Sequence, residues 1–442
     1  MGPMASGRSA AARIAQRNTI RGMFEKTVLP NGLRVVTAPM PAAKSVAVMV
    51  MIAAGSRYET PATNGIAHFA EHMFFKGTER RPTAKDISAE VDGIGGEFNA
   101  FTSKEYTGYY IKCAAEHRTL ALDVLADQLL NSKFEPEEVE REKGVIIEEL
   151  NMYVDTPRDH VDSVYDHLLF GDQPLGWDIL GSKDTIRAAG RQTFLDYLDS
   201  WYAPRRIVVG AAGAVDGGFL GEVESQFGHL DDRDTDSAAP TQVSQDGPRV
   251  LIDTRDSDQA HLRLGVRGIP TTHSDRYVMQ VLGAILGGGM SSRLFTQVRE
   301  RLGLAYYVFC HHQSYDDAGT LFSQSGVDIK RIDLAVQTIV REFGKLTREP
   351  VDEVELRRTK NYLKGRIVLQ LEDPRGLLTF GLRRETLENG LVEPEQILDG
   401  IEAVTAADIQ RLAGEVIRND GLNFGLVGPF DDDARFLELL SI

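Results

Sequence analysis

The chain has very little of several features that mark particular classes of protein. Only 2 of its 442 residues are cysteine, and Cys113 and Cys310 lie far apart without a C-x-x-C spacing. A disulfide framework is therefore excluded as the basis of the fold, and we expect a reducing compartment. No apolar run approaches the roughly 20 residues of a membrane span, so we expect no association with a membrane.

Positive charge is also scarce. The chain has 49 Lys and Arg residues against 65 Asp and Glu residues, which gives a formal net charge of −16. Proteins that read nucleic acids usually carry a basic face, so this composition argues against a nucleic-acid partner. An acidic surface is compatible with basic peptide substrates, although it is equally common in soluble proteins without such a role.

The length of the chain predicts two large domains. Residues 231–248 are polar and acidic, contain two prolines, and are predicted to be a linker. The order of predicted strands and helices is the same in residues 24–230 and in residues 249–442. We therefore predict an α+β protein built from two homologous α/β domains, each with a mainly antiparallel sheet packed with helices.

Residues 1–23 differ in composition from the rest of the chain. Residues 4–22 carry four arginines among serines and alanines and no acidic residue. This composition is typical of a disordered tail, either native or left by an expression vector, and it is also typical of a transit peptide. We expect a tail, and with it a cytoplasmic protein; a transit peptide would place the protein in the mitochondrial matrix.

Several local patterns predict individual elements. Asn31-Gly32 between two β-rich runs predicts a hairpin, and the alternating, aromatic-rich run Glu97–Cys113 predicts two paired strands. Helical periodicity predicts helices at about 64–75, 84–93, 115–131, 136–153, 157–170, 192–202, 275–286, 292–301 and 406–417, and long helices over 329–388 with a break near Asp373-Pro374.

The segment His68-Phe69-Ala70-Glu71-His72 has the pattern H-x-x-E-H. On a helix, His68 and His72 lie one turn apart on the same face, where two imidazoles can share one tetrahedral Zn²⁺. Glu71 lies beside them and can act as a general base towards the water that a catalytic zinc activates. A lone histidine is usually structural, but this three-residue pattern rarely arises by chance and is a known signature of zinc peptidases.

A catalytic zinc takes three protein ligands, so one more ligand must come from elsewhere in the chain. Glu142 and Glu149 lie seven residues apart, on one face of the helix predicted over 136–153. One could bind the metal while the other orients a ligating histidine. Spacing alone does not choose between Glu148 and Glu149. The other acidic candidates on this helix are Glu137, Glu138 and Glu140, and for most of the six a solvated acidic face is the simpler interpretation.

The segment His68–Gly77 resembles the pitrilysin/insulinase family of zinc peptidases, the inverzincins, and in particular its processing-peptidase-like branch of short two-domain subunits. The resemblance extends from Phe24 to the C-terminus. In that family the third ligand is a glutamate 77 positions after the second histidine, which implies Glu149 here. Glu142 falls on a further family glutamate that supports the site without binding the metal. The resemblance implies one Zn²⁺ per chain, with Mn²⁺ as the alternative.

Two further stretches resemble the family. Gly95–Thr102 resembles an edge strand on which an extended peptide lies as an added β-strand, although an ordinary hairpin would have a similar sequence. Arg299 and Tyr306, with Arg301 as a rival arginine, resemble an Arg and Tyr pair that reaches the substrate carbonyl and stabilises an oxyanion. The implied substrate-binding residues are Asn99, Ala100, Phe101 and Thr102.

These inferences lead to a zinc metalloendopeptidase that cleaves unfolded peptides or presequence-like segments inside a chamber formed by two subunits. We expect a homodimer, with a heterodimer as the alternative. One alternative function is a subunit that needs a catalytically silent partner to supply the Arg and Tyr. Another is a non-catalytic structural subunit, against which the intact motif and Glu149 argue.

Overall fold

The fold is seen in a computed structural model that describes residues 16–18 and 22–442. Most of the tail predicted for residues 1–23 therefore lies outside the described residues. The strands are β1 (Gln16–Asn18), β2 (Glu25–Val28), β3 (Arg34–Pro39), β4 (Ser45–Ile52), β5 (Glu97–Thr102), β6 (Thr107–Ala114), β7 (Ile207–Gly213), β8 (Arg249–Thr254), β9 (Gln259–Arg267), β10 (Ala305–Ser314), β11 (Gly319–Asp328) and β12 (Asn423–Gly428).

The α-helices lie between and after these strands. They are α1 (Ile66–Met73), α2 (Ala84–Gly93), α3 (Arg118–Asn131), α4 (Pro136–Asp155), α5 (Pro157–Phe170), α6 (Lys183–Ala188), α7 (Arg191–Trp201), α8 (Phe219–Phe227), α9 (Arg276–Gly287), α10 (Ile332–Arg348), α11 (Glu353–Leu371), α12 (Pro374–Glu388), α13 (Pro394–Ala403), α14 (Ala406–Val416) and α15 (Asp433–Leu439). None of the helices in this part of the chain is long and apolar enough to cross a membrane.

The strands form a seven-stranded sheet and a five-stranded sheet, and five strands of the first sheet have the same arrangement as the second. The first sheet runs β1-β2-β3-β7-β4-β6-β5 and the second runs β10-β11-β9-β12-β8. In each sheet one pair is parallel, β3 with β7 and β8 with β12, and the other pairs are antiparallel. The same topology therefore occurs twice, as β3-β7-β4-β6-β5 in the first sheet and as β8-β12-β9-β11-β10 in the second. The predicted fold class, two homologous units with mainly antiparallel sheets, is confirmed.

Each half contributes one helix to the sheet of the other half. Helix α5 of the first half packs on the second sheet, where the fully buried Tyr165 meets Phe322 at a ring-centroid distance of 5.8 Å. Helix α12 of the second half packs on β4 and β7 of the first sheet. Gly210 allows this close approach, because a Cβ there would lie 2.6 Å from Leu382 Cδ1. The two halves therefore share their cores.

The segment 231–248 contains no helix or strand, and it joins α8 to β8. The domain boundaries placed at its two ends stay a prediction, since the exchanged helices cross them. The hairpin at Asn31-Gly32 is present, with β2 antiparallel to β3 and Gly32 in the left-handed region at φ +87°.

Two aspects of the local predictions differ from the structure. The sequence patterns did not identify the four short helices α6, α8, α13 and α15. The helix predicted over 292–301 is present, but Phe295–Arg301 is a π-helix instead of an α-helix. There the Leu302 N–H donates to the Gln297 carbonyl, five residues earlier, at 3.2 Å.

Candidate metal centre

Helix α1 places the two histidines of the motif side by side. Its apolar residues face the first core: Ile66, Ala67, Phe69, Ala70 and Met73 are buried. The two imidazoles lie on the other side, with ring centroids 4.7 Å apart. The four-residue spacing therefore produces the shared face that the sequence predicted.

Helix α4 brings Glu149 to the two histidines. Glu149 Oε2 lies 3.4 Å from His72 Nε2, and Oε1 lies 3.8 Å from His68 Nε2. One donor atom from each of the three side chains lies within 4.8 Å of the others. Glu148, the neighbouring candidate, is exposed and lies outside this group. Two imidazole nitrogens and one carboxylate are a donor set that suits a catalytic zinc, so the residues present fit the implied ion.

Burial keeps His68 in the form that a metal requires. Burial, together with the nearby His72, lowers the pKa of His68 to about 3. The imidazole is therefore neutral at physiological pH, with a lone pair free for a metal. No protein group within residues 22–442 hydrogen-bonds to its second ring nitrogen, Nδ1.

His72 is held through its ring by a buried carboxylate. His72 Nδ1 lies 2.9 Å from Glu142 Oε1, and Lys76 Nζ lies 2.5 Å from Glu142 Oε2. Burial alone would raise the pKa of Glu142, but its bonds to His72 and Lys76 outweigh that effect and lower it. An ionised Glu142 fixes the tautomer of His72 and directs Nε2 towards Glu149. Lys76 was not identified from the sequence, although it lies only four residues after His72, just beyond the end of α1.

Glu71 lies beside this cluster and touches the edge strand. Its Oε2 accepts a hydrogen bond of 2.6 Å from the hydroxyl of Thr102, the last residue of β5. Burial raises the pKa of Glu71, and the hydrogen bond from Thr102 opposes that shift. A raised pKa makes a partly buried carboxyl a stronger proton acceptor than an exposed one.

Strand β5 forms one edge of the first sheet. It pairs antiparallel with β6, with Asn99 opposite Tyr110 and Ala100 opposite Tyr109. The Ala100 N–H donates to the side chain of Asn99 at 2.8 Å. Asn99, Ala100, Phe101 and Thr102 all lie on this strand, and substrate binding by them stays a prediction.

Arg299 and Tyr306 lie together in the second half of the chain. The guanidinium carbon of Arg299 is 5.6 Å from the ring centre of Tyr306 and 4.7 Å from that of Phe295. This contact favours Arg299 over Arg301 as the partner of Tyr306. Tyr306 is 78% exposed. In the described part of the chain, neither Arg299 nor Tyr306 has a hydrogen bond or ion pair with the histidine and glutamate cluster.

On this duplicated α+β fold, the two helical histidines and the carboxylate from a second helix form a group that could hold a metal ion. Together with the adjacent glutamate they match the pattern of metallopeptidases. Residues 34–183 match the family described as Insulinase (Peptidase family M16), and residues 189–363 match the one described as Peptidase M16 inactive domain. The chain belongs to the M16 peptidase family.

A relative agrees with this assignment, and solved structures share the fold. The uncharacterized zinc protease YmxG of Bacillus subtilis is 37% identical over 90% of this chain and 97% of its own length. A crystal structure of a protease from Helicobacter pylori has a TM-score of 0.85 at 23% identity, covering 91% of this chain and 99% of that one. A chain of complex III2 from Candida albicans has a TM-score of 0.81 at 18% identity, covering 94% and 99%.

Proposed function

We propose that this chain is a zinc metalloendopeptidase that cleaves unfolded peptides. The observation that carries the proposal is the convergence of His68, His72 and Glu149 beside the carboxyl of Glu71. The zinc protease names of relatives such as YmxG support the choice of metal and reaction. Zn²⁺ would be held by the three converging side chains, one ion per chain, with Mn²⁺ as the alternative ion.

Zinc, when bound, supplies Lewis-acid chemistry that lowers the pKa of water and polarises a peptide carbonyl. Glu71 accepts the proton of the attacking water and later delivers it to the leaving amine. Thr102 holds Glu71 Oε2, which leaves Oε1 for this proton transfer. Glu142 keeps His72 in one tautomer throughout, so the histidine stays an electron-pair donor.

The substrate would lie along the free edge of β5. An extended peptide that pairs with an edge strand is held by main-chain hydrogen bonds, so many sequences can bind. Because Thr102 both ends β5 and binds Glu71, a peptide on this edge would pass directly beside the general base. Asn99 would release the Ala100 N–H when such a peptide pairs there.

Arg299 and Tyr306 would stabilise the oxyanion from a second chain. An exposed tyrosine beside a guanidinium offers two hydrogen-bond donors to a developing negative charge. Since neither contacts the metal cluster of its own chain, we propose a chamber between two subunits, in which the second half of one chain faces the first half of the other. A homodimer is the simplest arrangement, and a heterodimer is the alternative. A cytoplasmic location stays a prediction.

Cleavage by the purified chain tests this proposal. The chain, loaded with zinc, should hydrolyse a fluorogenic unfolded peptide, and Glu71→Gln should abolish turnover while zinc stays bound. Activity restored by Mn²⁺ but not by Zn²⁺ after chelation would assign manganese instead. Bound zinc without turnover by the wild-type chain, recovered only on adding a second subunit, would favour the silent-partner function.

The fold shared with a chain of complex III2 from Candida albicans favours one further candidate, a structural subunit. A structural subunit would show no turnover alone or with any partner, and Glu71→Gln would leave its role intact.

A further inference from the structure

Helix α1, which carries both histidines, does not cap its own N-terminus. Its first flanking residue is Gly65, which has φ +95° and no side chain to accept a hydrogen bond. The first N–H groups of any helix lack partners inside the helix and need an acceptor from elsewhere. For α1 that acceptor decides where the helix begins and how its first turn is oriented.

The Ile66 N–H donates to the Thr63 carbonyl at 3.0 Å. Glu59 binds the N–H groups on either side of Ile66, with both of its oxygens. Oε2 accepts from the Gly65 N–H at 2.8 Å, and Oε1 accepts from the Ala67 N–H at 2.7 Å. Oε2 also accepts from the side-chain amide of Asn64 at 2.9 Å, and that amide donates in turn to the Asp178 carbonyl at 2.9 Å. A single buried carboxyl thus holds both the residue that precedes α1 and the second residue of α1.

The two histidines of the centre are held in different ways. His72 is oriented through its ring by Glu142, at 2.9 Å. His68 has no protein partner for Nδ1 within residues 22–442, so its position depends on the backbone that carries it. In that backbone His68 directly follows Ala67, the residue whose N–H Glu59 binds.

We propose that Glu59 is a positioning residue of the metal centre, which sets His68 for metal binding by anchoring the backbone of α1 at Gly65 and Ala67. Glu59 orients His68 through the main chain, whereas Glu142 orients His72 through its imidazole ring. The inference rests on the proposed zinc site and extends it to a residue outside the H-x-x-E-H motif.

Placing a carboxyl at this position opposes the stability of the fold. Burial raises the pKa of Glu59 to about 8, and the N–H donors around it only partly counter that shift. Because the pKa is higher in the folded state than in the unfolded chain, the contribution of Glu59 to stability decreases as the pH rises from the usual glutamate pKa towards 8. A role in anchoring α1 gives a reason for a carboxyl in so unfavourable a place.

Zinc affinity measured by competition with a chromophoric chelator, on the full chain at one fixed pH above about 8, where Glu59 is ionised, tests the inference. Glu59→Gln keeps the size of the side chain but offers one accepting oxygen instead of two. We expect zinc binding to weaken by about tenfold or more, the range found when groups that orient metal ligands are removed. The control is Asp352→Asn at the start of α11, where one carboxylate oxygen also accepts two N–H groups, from Val354 and Glu355, both at 2.9 Å. This control should leave zinc affinity unchanged.

Folding of each variant is checked by circular dichroism and thermal melting. If Glu59→Gln does not fold, Glu59→Asp replaces it, because the shorter carboxyl cannot reach both N–H groups and should also weaken zinc binding. A folded variant that binds zinc within about twofold of wild type, or an equal loss in Asp352→Asn, would overturn the inference. No zinc binding by the wild-type chain would instead defeat the proposed function, so the two failures are distinguishable.

Discussion

The two halves of this chain have the same sheet topology but differ in what their equivalent helices carry. In the first half, α1 and α4 bring together two histidines and Glu149. In the second half, α9 ends in the run Gly287-Gly288-Gly289, and Tyr362 of α11 donates a hydrogen bond to the Gly288 carbonyl. Among the described residues, the cluster in the first half is the one group suited to a metal. The same scaffold therefore carries a set of possible metal ligands in one copy and packing contacts in the other.

The halves also differ in how they are joined to one another. The exchanged helices α5 and α12 give each sheet an apolar cover from the other half. A buried ion network adds a polar link, in which Arg57 binds Glu105 and Asp317, each at 2.6 Å. The two halves thus form a single body, in which the second half packs against the half that holds the candidate metal centre.

Removing the third metal ligand should abolish the metal binding that we expect to distinguish the first half from the second. Glu149→Ala leaves only two imidazoles, one ligand fewer than a catalytic zinc takes from the protein. Zinc affinity should therefore fall by more than the roughly 100-fold seen when a residue that only orients a ligand is removed, and peptide cleavage should stop. Glu148→Ala, at the exposed neighbouring position, should retain both. Titration of each variant with zinc, followed by a peptide cleavage assay, measures the effect. Equal losses in the two variants would contradict the geometry of α4.

Glu71→Gln should separate metal binding from catalysis. The amide cannot take up a proton, so kcat should fall by about 10²- to 10⁴-fold while the zinc content stays at the wild-type level. Glu79→Gln, at an exposed position after α1, is the control and should be fully active. Steady-state cleavage rates and metal analysis of both variants measure kcat and zinc content. Retained activity in Glu71→Gln would remove the general base from the proposed mechanism.

Arg57→Met should weaken the link between the halves. It leaves Glu105 and Asp317 without their cation, and an unpaired buried charge of this kind costs about 3–5 kcal/mol in free energy of unfolding. Arg418→Met, which breaks an exposed ion pair with Asp420, should leave the free energy of unfolding essentially unchanged. Denaturant unfolding of both variants measures the difference. Similar midpoints would show that the helix exchange alone holds the halves together.

Glu142→Gln should give the smallest effect. The amide can still hydrogen-bond to His72 but loses the charge that holds both the imidazole and Lys76, so zinc affinity should fall by about 10- to 100-fold. Glu140→Gln, on the exposed side of the same helix, serves as the control. Chelator competition provides the measurement, and an unchanged affinity would show that His72 needs no carboxylate partner.

Much of the fold could be predicted because the first sheet and its helices have strong local patterns. The four-residue spacing of His68 and His72 was sufficient to predict that their rings lie side by side on α1. The choice of Glu149 over Glu148 depends on how α4 is rotated against α1. The spacing of residues within α4 gives no information about that rotation. Only the resemblance to the family indicated it before the structure was known.

The exchange of helices could not be predicted for a related reason. The apolar residues of α5 and α12 show that each helix has a buried face, but not which sheet covers it. Glu59 was missed because it acts across a turn, on N–H groups that any residue could supply. The one local signal was Gly65 at the start of a helix without a capping side chain of its own.

The most direct measurement is anomalous diffraction at the zinc edge from crystals of the full chain supplied with zinc. We expect one peak per chain, between His68 Nε2, His72 Nε2 and the carboxylate of Glu149, and none in the second half. No peak at these three side chains, or a peak between α9 and α11, would contradict the assignment of the metal centre to the first half.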